Sequence, residues 1–389
     1  MTGAGAVTVA RPPEGLLLES GARLDTVTIA YECWGNLNRD RSNAILICHP
    51  FTADAHATSG RQPGPPPDGS RPGWWEEAIG PGKPFDTDRY FVICSNVLGG
   101  CAGSTGPASL DPSTGRPFGM RFPVVTVRDM VQAQIRLIDW FGIDRLLAVA
   151  GGSLGGMQAL RWAVDFPERV AACIPIAACA RSSAQSIALN EAGRQAVYAD
   201  TNWKKGDYYD SIPPDGGLAV ARMIGHISYM SDTSMRSKFG RRLQGGDRPG
   251  YTFDTDFAVE SYLRHRGASF PGRFDANSYL YVSKAIDYFD LTAGRHSLED
   301  SLKEVAARVL VIGFSSDWLF PAYQSREVVR ALLANNVAVT SVVVESVYGH
   351  DAFLVEVDRM APFIGDFLTR TWRTEAGGRR DGLPGPRGL

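Results

Sequence analysis

The stretch that decides the fold of this chain is Leu147-Ala148-Val149-Ala150-Gly151-Gly152-Ser153-Leu154-Gly155-Gly156-Met157-Gln158. Its first four residues are apolar, which is typical of a strand buried on both faces, and an amphipathic run up to Phe166 follows the serine. Strand, sharp turn and helix, joined by Gly-x-Ser-x-Gly, form the context of a nucleophile elbow. We therefore predict that Ser153 is a nucleophile and that the backbone amide of Leu154, at the start of the helix, helps to hold an oxyanion.

A structural turn is the alternative interpretation of this motif, because the chain contains 42 glycines in 389 residues. The motif occurs once, however, and it lies between a buried strand and a helix, which favours the elbow. A serine hydroxyl is a weak nucleophile unless a base takes its proton and a carboxylate orients that base. The elbow therefore has to be judged by the partners that the sequence offers to Ser153.

Composition limits the classes of protein to consider. The net charge of −2 gives no reason to expect nucleic acid or an anionic membrane surface as a partner. No apolar run approaches the roughly 20 residues of a membrane span, and the N-terminus does not resemble a signal peptide. The six cysteines form no C-x-x-C and have no histidine cluster beside them. We expect free thiols in a cytoplasmic protein, with no metal site.

Apolar strand candidates alternate with helical patterns in the first part of the chain and again near its end. Two opening strands are predicted between Leu16 and Glu32, after a loose leader of about 13 residues. A helix is predicted to begin after Thr126, which has the spacing of an N-terminal cap with Asp129. The segment from Gly60 to Gly73 is rich in proline and glycine, so we expect a surface excursion there.

The alternation stops between residues 181 and 296, where helical stretches carry many aromatic residues. A sheet that is interrupted by helices and then completed indicates a core domain with an inserted lid. We predict an α/β-hydrolase fold with a mostly parallel sheet. The core is assigned to residues 1–180 and 297–372, the helical lid to residues 181–296, and a disordered tail to residues 373–389.

The partners of Ser153 are sought in the order serine, acid, histidine that this fold requires. His350 follows the strand candidate of residues 337–345, and Asp317 is the only carboxylate directly after the strand candidate of residues 309–313. Asp317 could instead cap a helix, and His350 could be an ordinary loop histidine. Three residue types in the right order at three strand ends favour a Ser153–Asp317–His350 triad.

The second oxyanion amide is expected in the loop after the third strand of the fold. Here the apolar run Ala44–Cys48 leads into His49-Pro50-Phe51-Thr52-Ala53. We assign the second amide to Phe51. His49 also follows a strand, but it precedes the serine in the chain, so we expect it to shape this loop.

Several longer motifs make the sequence resemble the homoserine O-acetyltransferase family of α/β-hydrolase-fold acyltransferases, from about Leu24 to Phe367. The motifs are Gly73-Trp74-Trp75, Ile79-Gly80-Pro81-Gly82-Lys83, Asp86-Thr87-Asp88-Arg89-Tyr90, residues 96–107, Phe122-Pro123-Val124-Val125-Thr126-Val127-Arg128-Asp129, residues 151–157, Phe274-Asp275-Ala276-Asn277-Ser278-Tyr279-Leu280 and Gly349-His350-Asp351-Ala352-Phe353. They extend well beyond what a shared fold requires.

The resemblance implies acetyl transfer from acetyl-CoA to the hydroxyl of L-homoserine through an acyl-enzyme on the serine, a step of methionine biosynthesis. It also implies that Arg222 pairs with the substrate carboxylate and Asp351 with its ammonium, with Thr52 and Tyr229 as further substrate contacts. An amino acid needs one fixed cation and one fixed anion, and a guanidinium binds a carboxylate bidentately. A salt bridge within the lid is the alternative for Arg222.

A homodimer is also implied by the resemblance, whereas no bound cofactor is expected because the chain has no nucleotide-binding glycine motif after its first strands. The loop at Pro50 and Phe51 departs from the family's usual His-Ala-Leu-Thr-Gly. Because this loop lines the acyl site, the departure bears on the acyl donor and the acceptor and not on the type of reaction. Serine O-acetylation and O-succinylation of homoserine or serine are the alternatives within the family, and an esterase is the alternative outside it.

Overall fold

Eight strands form one sheet at the centre of the computed structural model, which describes residues 3–60 and 71–380. The strands of the chain are β1 (Gly3–Ala10), β2 (Leu16–Leu17), β3 (Arg23–Leu24), β4 (Val27–Trp34), β5 (Ala44–Cys48), β6 (Ile79–Gly80), β7 (Phe85–Asp86), β8 (Phe91–Ser95), β9 (Ala148–Gly152), β10 (Ala172–Ile176), β11 (Arg308–Phe314) and β12 (Val339–Val344). The large sheet has the order β1-β4-β8-β5-β9-β10-β11-β12. Strand β4 is antiparallel to both β1 and β8, and all other pairs are parallel. The predicted mostly parallel sheet is confirmed.

Helices pack on both faces of this sheet and also form the inserted segment between β10 and β11. They are α1 (Val127–Trp140), α2 (Leu154–Asp165), α3 (Ala184–Ala199), α4 (Asp215–Tyr229), α5 (Asp232–Lys238), α6 (Ala258–Ala268), α7 (Ala276–Asp287), α8 (Leu298–Leu302), α9 (Ala322–Ala334), α10 (Ala352–Val355) and α11 (Val357–Arg380). None of the described helices is both long and apolar enough to cross a membrane.

Alternation along the buried strands divides the core into two apolar clusters. In β5, Leu46 belongs to a cluster that includes Met130 of α1 and Met157 of α2. Its neighbour Ile47 belongs to the other cluster, together with Met360 of α11. Successive side chains of a strand point to opposite faces, so a continuous apolar run is buried on both sides of the sheet.

The first predicted helix begins where its capping residues indicated. The Thr126 side chain accepts a hydrogen bond from the Asp129 amide, and the Asp129 side chain accepts one from the Thr126 amide. This reciprocal arrangement is a capping box, which satisfies two amides that the first turn of a helix leaves without partners. The predicted start of α1 is confirmed.

The predicted loose leader is wrong, because residues 3–10 form β1 and pair with β4 at the edge of the sheet. Small residues such as Gly3, Ala4 and Gly5 give no strand signal of their own. The pairing rests on main-chain hydrogen bonds to a distant segment, which a local pattern does not report. The two predicted opening strands between Leu16 and Glu32 correspond to the short β2–β3 ladder followed by β4.

The C-terminal helix also differs from its prediction. The tail was assigned from Arg373 onward, yet α11 continues to Arg380. Glu375 forms an ion pair of 2.8 Å with Arg145, which ties this last part of the helix to the core. The remaining tail prediction, for residues 381–389, lies outside the described residues, as do residues 61–70 of the predicted surface excursion.

Helices α3 to α7 lie between β10 and β11 within the predicted insertion of residues 181–296, and α8 follows in the predicted core. Helix α4 packs against both α3 and α6, and α3 packs against α7. The assignment of residues 181–296 as a separate lid remains a prediction.

Candidate active site

Ser153 lies at the turn between β9 and α2 in a backbone conformation that non-glycine residues rarely adopt, with φ 58° and ψ −124°. Two close approaches require glycine around it. A Cβ atom on Gly151 would stand 2.5 Å from the carbonyl oxygen of Cys48, and one on Gly155 would stand 2.0 Å from the same oxygen. The turn is therefore strained at the serine and permitted by its glycines, as an elbow requires.

His350 and Asp317 are brought together by the loops that follow β12 and β11. His350 Nδ1 lies 2.8 Å from Asp317 Oδ2, and both side chains are buried. Asp317 Oδ1 accepts hydrogen bonds from the backbone amides of Leu319 and Phe320, at 3.0 and 2.9 Å. The carboxylate therefore fixes the imidazole with a proton on Nδ1 and leaves Nε2 as the acceptor.

The free ring nitrogen of His350 is buried and has no hydrogen-bond partner among the described residues. Ser153 Oγ is not hydrogen-bonded to it in this resting geometry. Aromatic rings surround the imidazole, with centroids 5.1 Å away for Phe320, 5.7 Å for Phe353 and 5.9 Å for Tyr229. Catalytic hydrogen bonds are often long without substrate and tighten in the complex. The arrangement therefore leaves Nε2 available for a proton.

The lid contacts the loops that carry the acid and the histidine. Gly349 has φ 74°, and a Cβ atom there would stand 2.6 Å from the backbone nitrogen of Ser231. Trp318, beside the acid, donates a hydrogen bond of 2.9 Å from Nε1 to the carbonyl of Met230. Gln185 of α3 donates one of the same length to the carbonyl of Trp318. Lid packing therefore helps to position both loops.

Two backbone amides are available for an oxyanion. Those of Phe51 and Leu154 donate to no acceptor within the described part of the chain. Leu154 is the first residue of α2, so its amide lies at the positive end of the helix dipole. These are the two positions that the sequence predicts.

A buried polar network holds the loop that carries Phe51. Gln134 Nε2 donates to Gln158 Oε1 at 2.7 Å, and Gln158 Nε2 donates to the carbonyl of His49 at 3.3 Å. His49 Nε2 in turn accepts a hydrogen bond of 3.0 Å from the amide of Val97. Burial lowers the pKa of His49 and keeps the ring neutral, which this acceptor role requires. His49 therefore shapes the loop, in agreement with the prediction.

The serine faces a small cavity, which we call the serine cavity. Its volume is about 40 Å³, and its lining residues are Phe51, Ser153, Ser186, Leu189, Asn190, Ile224, Gly225, Ser228, Tyr229, Tyr279, Ile286, Leu319 and Phe320. No lysine or arginine is among them. Helices α3 and α4 supply most of its wall opposite the elbow.

Of the four predicted substrate contacts, Tyr229 lines this cavity and Thr52 lines a second one, whereas Arg222 and Asp351 are among the lining residues of neither. Arg222 and Tyr229 are two turns apart on α4, and the guanidinium carbon of Arg222 is 5.9 Å from the Tyr229 ring centroid. Arg222 Nη1 donates a hydrogen bond of 2.9 Å to Thr52 Oγ1. Burial raises the pKa of the Asp351 carboxyl, while the charges of His350 and Arg222 partly oppose that rise.

Neither Arg222 nor Asp351 forms an ion pair among the described residues. The alternative interpretation of Arg222, a salt bridge within the lid, is therefore not found among the described side chains. One cation, close to the ring of Tyr229, and one anion, next to His350 in the chain, remain without an ion-pair partner among the described residues. This is the complement that a free amino acid would need.

Three further side chains at the site were not singled out from the sequence. Tyr279 lines the serine cavity and its ring lies 5.0 Å from that of Phe51. Phe270 lies beneath the guanidinium of Arg222, at 4.9 Å, and that of Arg273, at 5.0 Å. Arg273 directly precedes the motif that begins at Phe274. Its position next to this motif was the one feature of the sequence that could have indicated Arg273 as a site residue.

Within residues 3–60 and 71–380, no group of three or more His, Cys, Asp or Glu side chains is placed to hold a metal ion. The six cysteines are free thiols, as expected from their spacing.

Comparison with known proteins identifies a matching family model and similar proteins. A family model described as alpha/beta hydrolase fold matches residues 43–357. A homoserine O-acetyltransferase of Methanosalsum zhilinae is 56% identical over 355 residues, which make up 91% of this chain and 71% of that protein.

Solved structures agree with this match. The crystal structure of homoserine O-acetyltransferase from Bacillus anthracis has a TM-score of 0.86 and 30% identity, and the match covers 95% of this chain and 98% of that one. The structure of esterase E22 is nearly as similar, with a TM-score of 0.84 and 30% identity over 95% of this chain and 100% of the other. The predicted fold is confirmed, and the chain belongs to the homoserine O-acetyltransferase family of acyltransferases with the α/β-hydrolase fold.

Proposed function

We propose that this chain transfers the acetyl group of acetyl-CoA to the hydroxyl of L-homoserine through an acyl-enzyme on Ser153. The observation that carries this proposal is that Arg222, close to Tyr229 of the serine cavity, and Asp351, next to His350 in the chain, form no ion pair among the described residues. A simple ester offers nothing for either charge, whereas an amino acid satisfies both. We further propose that the product, O-acetyl-L-homoserine, enters methionine biosynthesis.

In the first half-reaction, Ser153 Oγ attacks the thioester carbonyl while His350 Nε2 takes the hydroxyl proton. Asp317 stabilises the imidazolium through Nδ1. The amides of Phe51 and Leu154 hold the oxyanion, and each such donor contributes about 10²–10³ in rate. The carbon–sulfur bond then breaks, and the CoA thiolate leaves with the proton that His350 returns.

In the second half-reaction, the homoserine hydroxyl occupies the place of the departed thiol. His350 takes the hydroxyl proton, the acceptor oxygen attacks the acyl carbon, and the bond to Ser153 Oγ breaks as the proton returns to the serine. Arg222 holds the carboxylate and Asp351 the ammonium, so the hydroxyl is fixed near the ester. A hydroxyl held in this position reacts much faster than one that reaches the ester by random collision from dilute solution.

The serine cavity favours acetyl over succinyl as the acyl group. A succinyl group would carry a second carboxylate into a wall that contains no lysine or arginine. A buried charge without a partner is strongly unfavourable, so we expect succinyl-CoA to be a poor donor.

An esterase is the second candidate, and the similarity to esterase E22 is the observation that favours it. The same triad hydrolyses esters when water replaces the amino-acid hydroxyl. Serine as acceptor would use the same charge pair, with a hydroxyl one methylene closer to the charges. The two acetyltransferases therefore differ in the acceptor alone, whereas the esterase takes its acyl group from an ester and passes it to water.

The test measures the release of the CoA thiol over time in three reactions. They contain acetyl-CoA alone, acetyl-CoA with homoserine, and acetyl-CoA with serine. For the proposed function, acetyl-CoA alone should give a burst of one thiol per active site and slow turnover afterwards. Homoserine should accelerate the turnover and yield the O-acetyl product. Fast turnover that homoserine does not change would indicate the esterase, and a larger response to serine would indicate the serine acetyltransferase.

A further inference from the structure

Three cavities of the site share lining residues with one another. We call the largest of the three the outer cavity; its volume is about 480 Å³, and its lining includes Arg273 and Phe274 together with the carboxylates Asp215 and Asp275. A narrow connecting cavity of about 10 Å³ also has Arg273 and Phe274 in its wall, together with Phe51. Phe51 lines the serine cavity as well. Arg273 therefore lies between the outer and connecting cavities, and Phe51 between the connecting and serine cavities.

Arg273 carries a charge that no described carboxylate neutralises by an ion pair. Its Nη1 donates one hydrogen bond of 2.8 Å, to the carbonyl of Thr52, and its side chain reaches the surface. The remaining donors of the guanidinium fork have no acceptor among the described residues. A guanidinium with free donors at the wall of a cavity is a site for an anion that binds in that cavity.

Arg222 shares both partners of Arg273. It donates to Thr52 Oγ1, whereas Arg273 donates to the carbonyl of the same residue. Both guanidinium carbons lie about 5 Å from the ring of Phe270, which attracts cations through its π face. Burial and the charges of Arg222 and Arg71 together lower the pKa of Arg273 to about 10. Two positive charges are thus held close together, and an anion bound at each guanidinium would reduce the repulsion between them.

We propose that Arg273 binds a phosphate of the coenzyme A part of the acyl donor in the outer cavity. The proposal rests on the proposed function, because an acyl-CoA supplies the phosphates. Arg222 lies 5.9 Å from the ring of Tyr229, which lines the serine cavity, and in the proposed function it takes the single carboxylate of the acceptor. The second guanidinium is therefore left for the second substrate.

The experiment compares acetyl-CoA with acetyl-pantetheine, which carries the same thioester without any phosphate. The acylation half-reaction of wild type and Arg273→Gln is followed by thiol release. With acetyl-CoA, Arg273→Gln should raise the KM at least about tenfold, the effect expected for loss of one charge-assisted contact. With acetyl-pantetheine, the two proteins should agree. Arg273→Lys should recover part of the affinity for acetyl-CoA, because it keeps the charge but not the fork.

Arg264→Gln is the matched control, because it removes the same charge from an exposed position of α6 that lines none of the three cavities. It should leave the KM of both donors unchanged. Salt should weaken acetyl-CoA binding more in wild type than in Arg273→Gln, because the variant has lost an ionic contact.

Equal losses with both donors would overturn the proposal and make Arg273 a support for the Thr52 carbonyl and its loop. A loss confined to the homoserine half-reaction would also overturn it and place Arg273 in the acceptor site. The proposed function fails separately, if wild type forms no acyl-enzyme with acetyl-CoA but does so with p-nitrophenyl acetate.

Discussion

The two sides of the active site differ in how their charges are satisfied. On the sheet side, Asp317 accepts hydrogen bonds from His350 and from two backbone amides. On the side toward the inserted helices, which we call the lid side, Arg222 and Asp351 have no opposite charge in an ion pair among the described residues. The sheet side is complete without substrate, whereas in the proposed function the substrate completes the lid side. Chemistry and choice of acceptor should therefore respond separately to mutation.

The largest effect is expected for Ser153→Ala, on the sheet side. Turnover should fall by about 10⁶-fold, because loss of a triad nucleophile removes the acyl-enzyme route. Residue 153 lies at the cavity, so loss of its oxygen should leave the Tm close to that of wild type. Mass spectrometry should find an added acetyl group on the peptide containing Ser153 in wild type alone. Retention of a tenth of the activity would contradict the elbow assignment.

Asp317→Asn should reduce kcat by about 10⁴-fold, because the amide favours the wrong tautomer of His350. Both half-reactions should slow by similar factors, since His350 moves the proton in each. Rapid-mixing measurement of thiol release and of product formation would compare them. An effect on the homoserine step alone would mean that Asp317 acts on the acceptor and not on the imidazole.

Arg222→Ala should impair binding of the acceptor on the lid side and leave the catalytic groups of the sheet side intact. We expect kcat/KM for homoserine to fall at least about tenfold, because Arg222 no longer pairs with the carboxylate. Acylation by acetyl-CoA should change little, and hydrolysis should make up a larger share of the remaining turnover. Arg264→Ala is the control for loss of a lid charge. Equal losses in both half-reactions would remove Arg222 from the acceptor site.

The smallest expected effect is on stability, through Asp351→Asn. A carboxyl whose folded-state pKa is raised binds its proton more tightly in the folded chain, so stability falls as pH rises from about 4 through the raised pKa. Replacing the group by a neutral isostere removes this cost at neutral pH. The Tm at pH 7.5 should rise by about 1–3 °C, while the two proteins should converge near pH 4. Homoserine KM should increase in the same variant.

A calorimetric series from pH 4 to 8 would measure this difference. A Tm below that of wild type at neutral pH would mean that Asp351 has a stabilising partner in the free enzyme. In that case the contrast between a completed sheet side and an incomplete lid side would not hold.

The sequence alone located the residues whose positions follow from local pattern and chain order. The elbow at Ser153 could be predicted because its glycines and flanking periodicity act within a few residues. Asp317 and His350 could be predicted because the carboxyl ends of parallel strands meet at one edge of a sheet. Recognising that each residue follows the end of a strand was therefore enough to place both at that edge. Thr126 marked the start of α1 through a capping box spanning four residues.

Only the tertiary structure assigned residues 3–10 to the edge of the sheet and brought Arg273 to Thr52. These contacts join distant segments, since Arg273 and Thr52 are 221 positions apart in the chain. A local pattern reports which face of a helix or strand is apolar, but not which loop that face will meet. The triad could therefore be predicted from the sequence, whereas the cavities and the unpaired guanidiniums around it became visible once the lid helices were packed on the sheet.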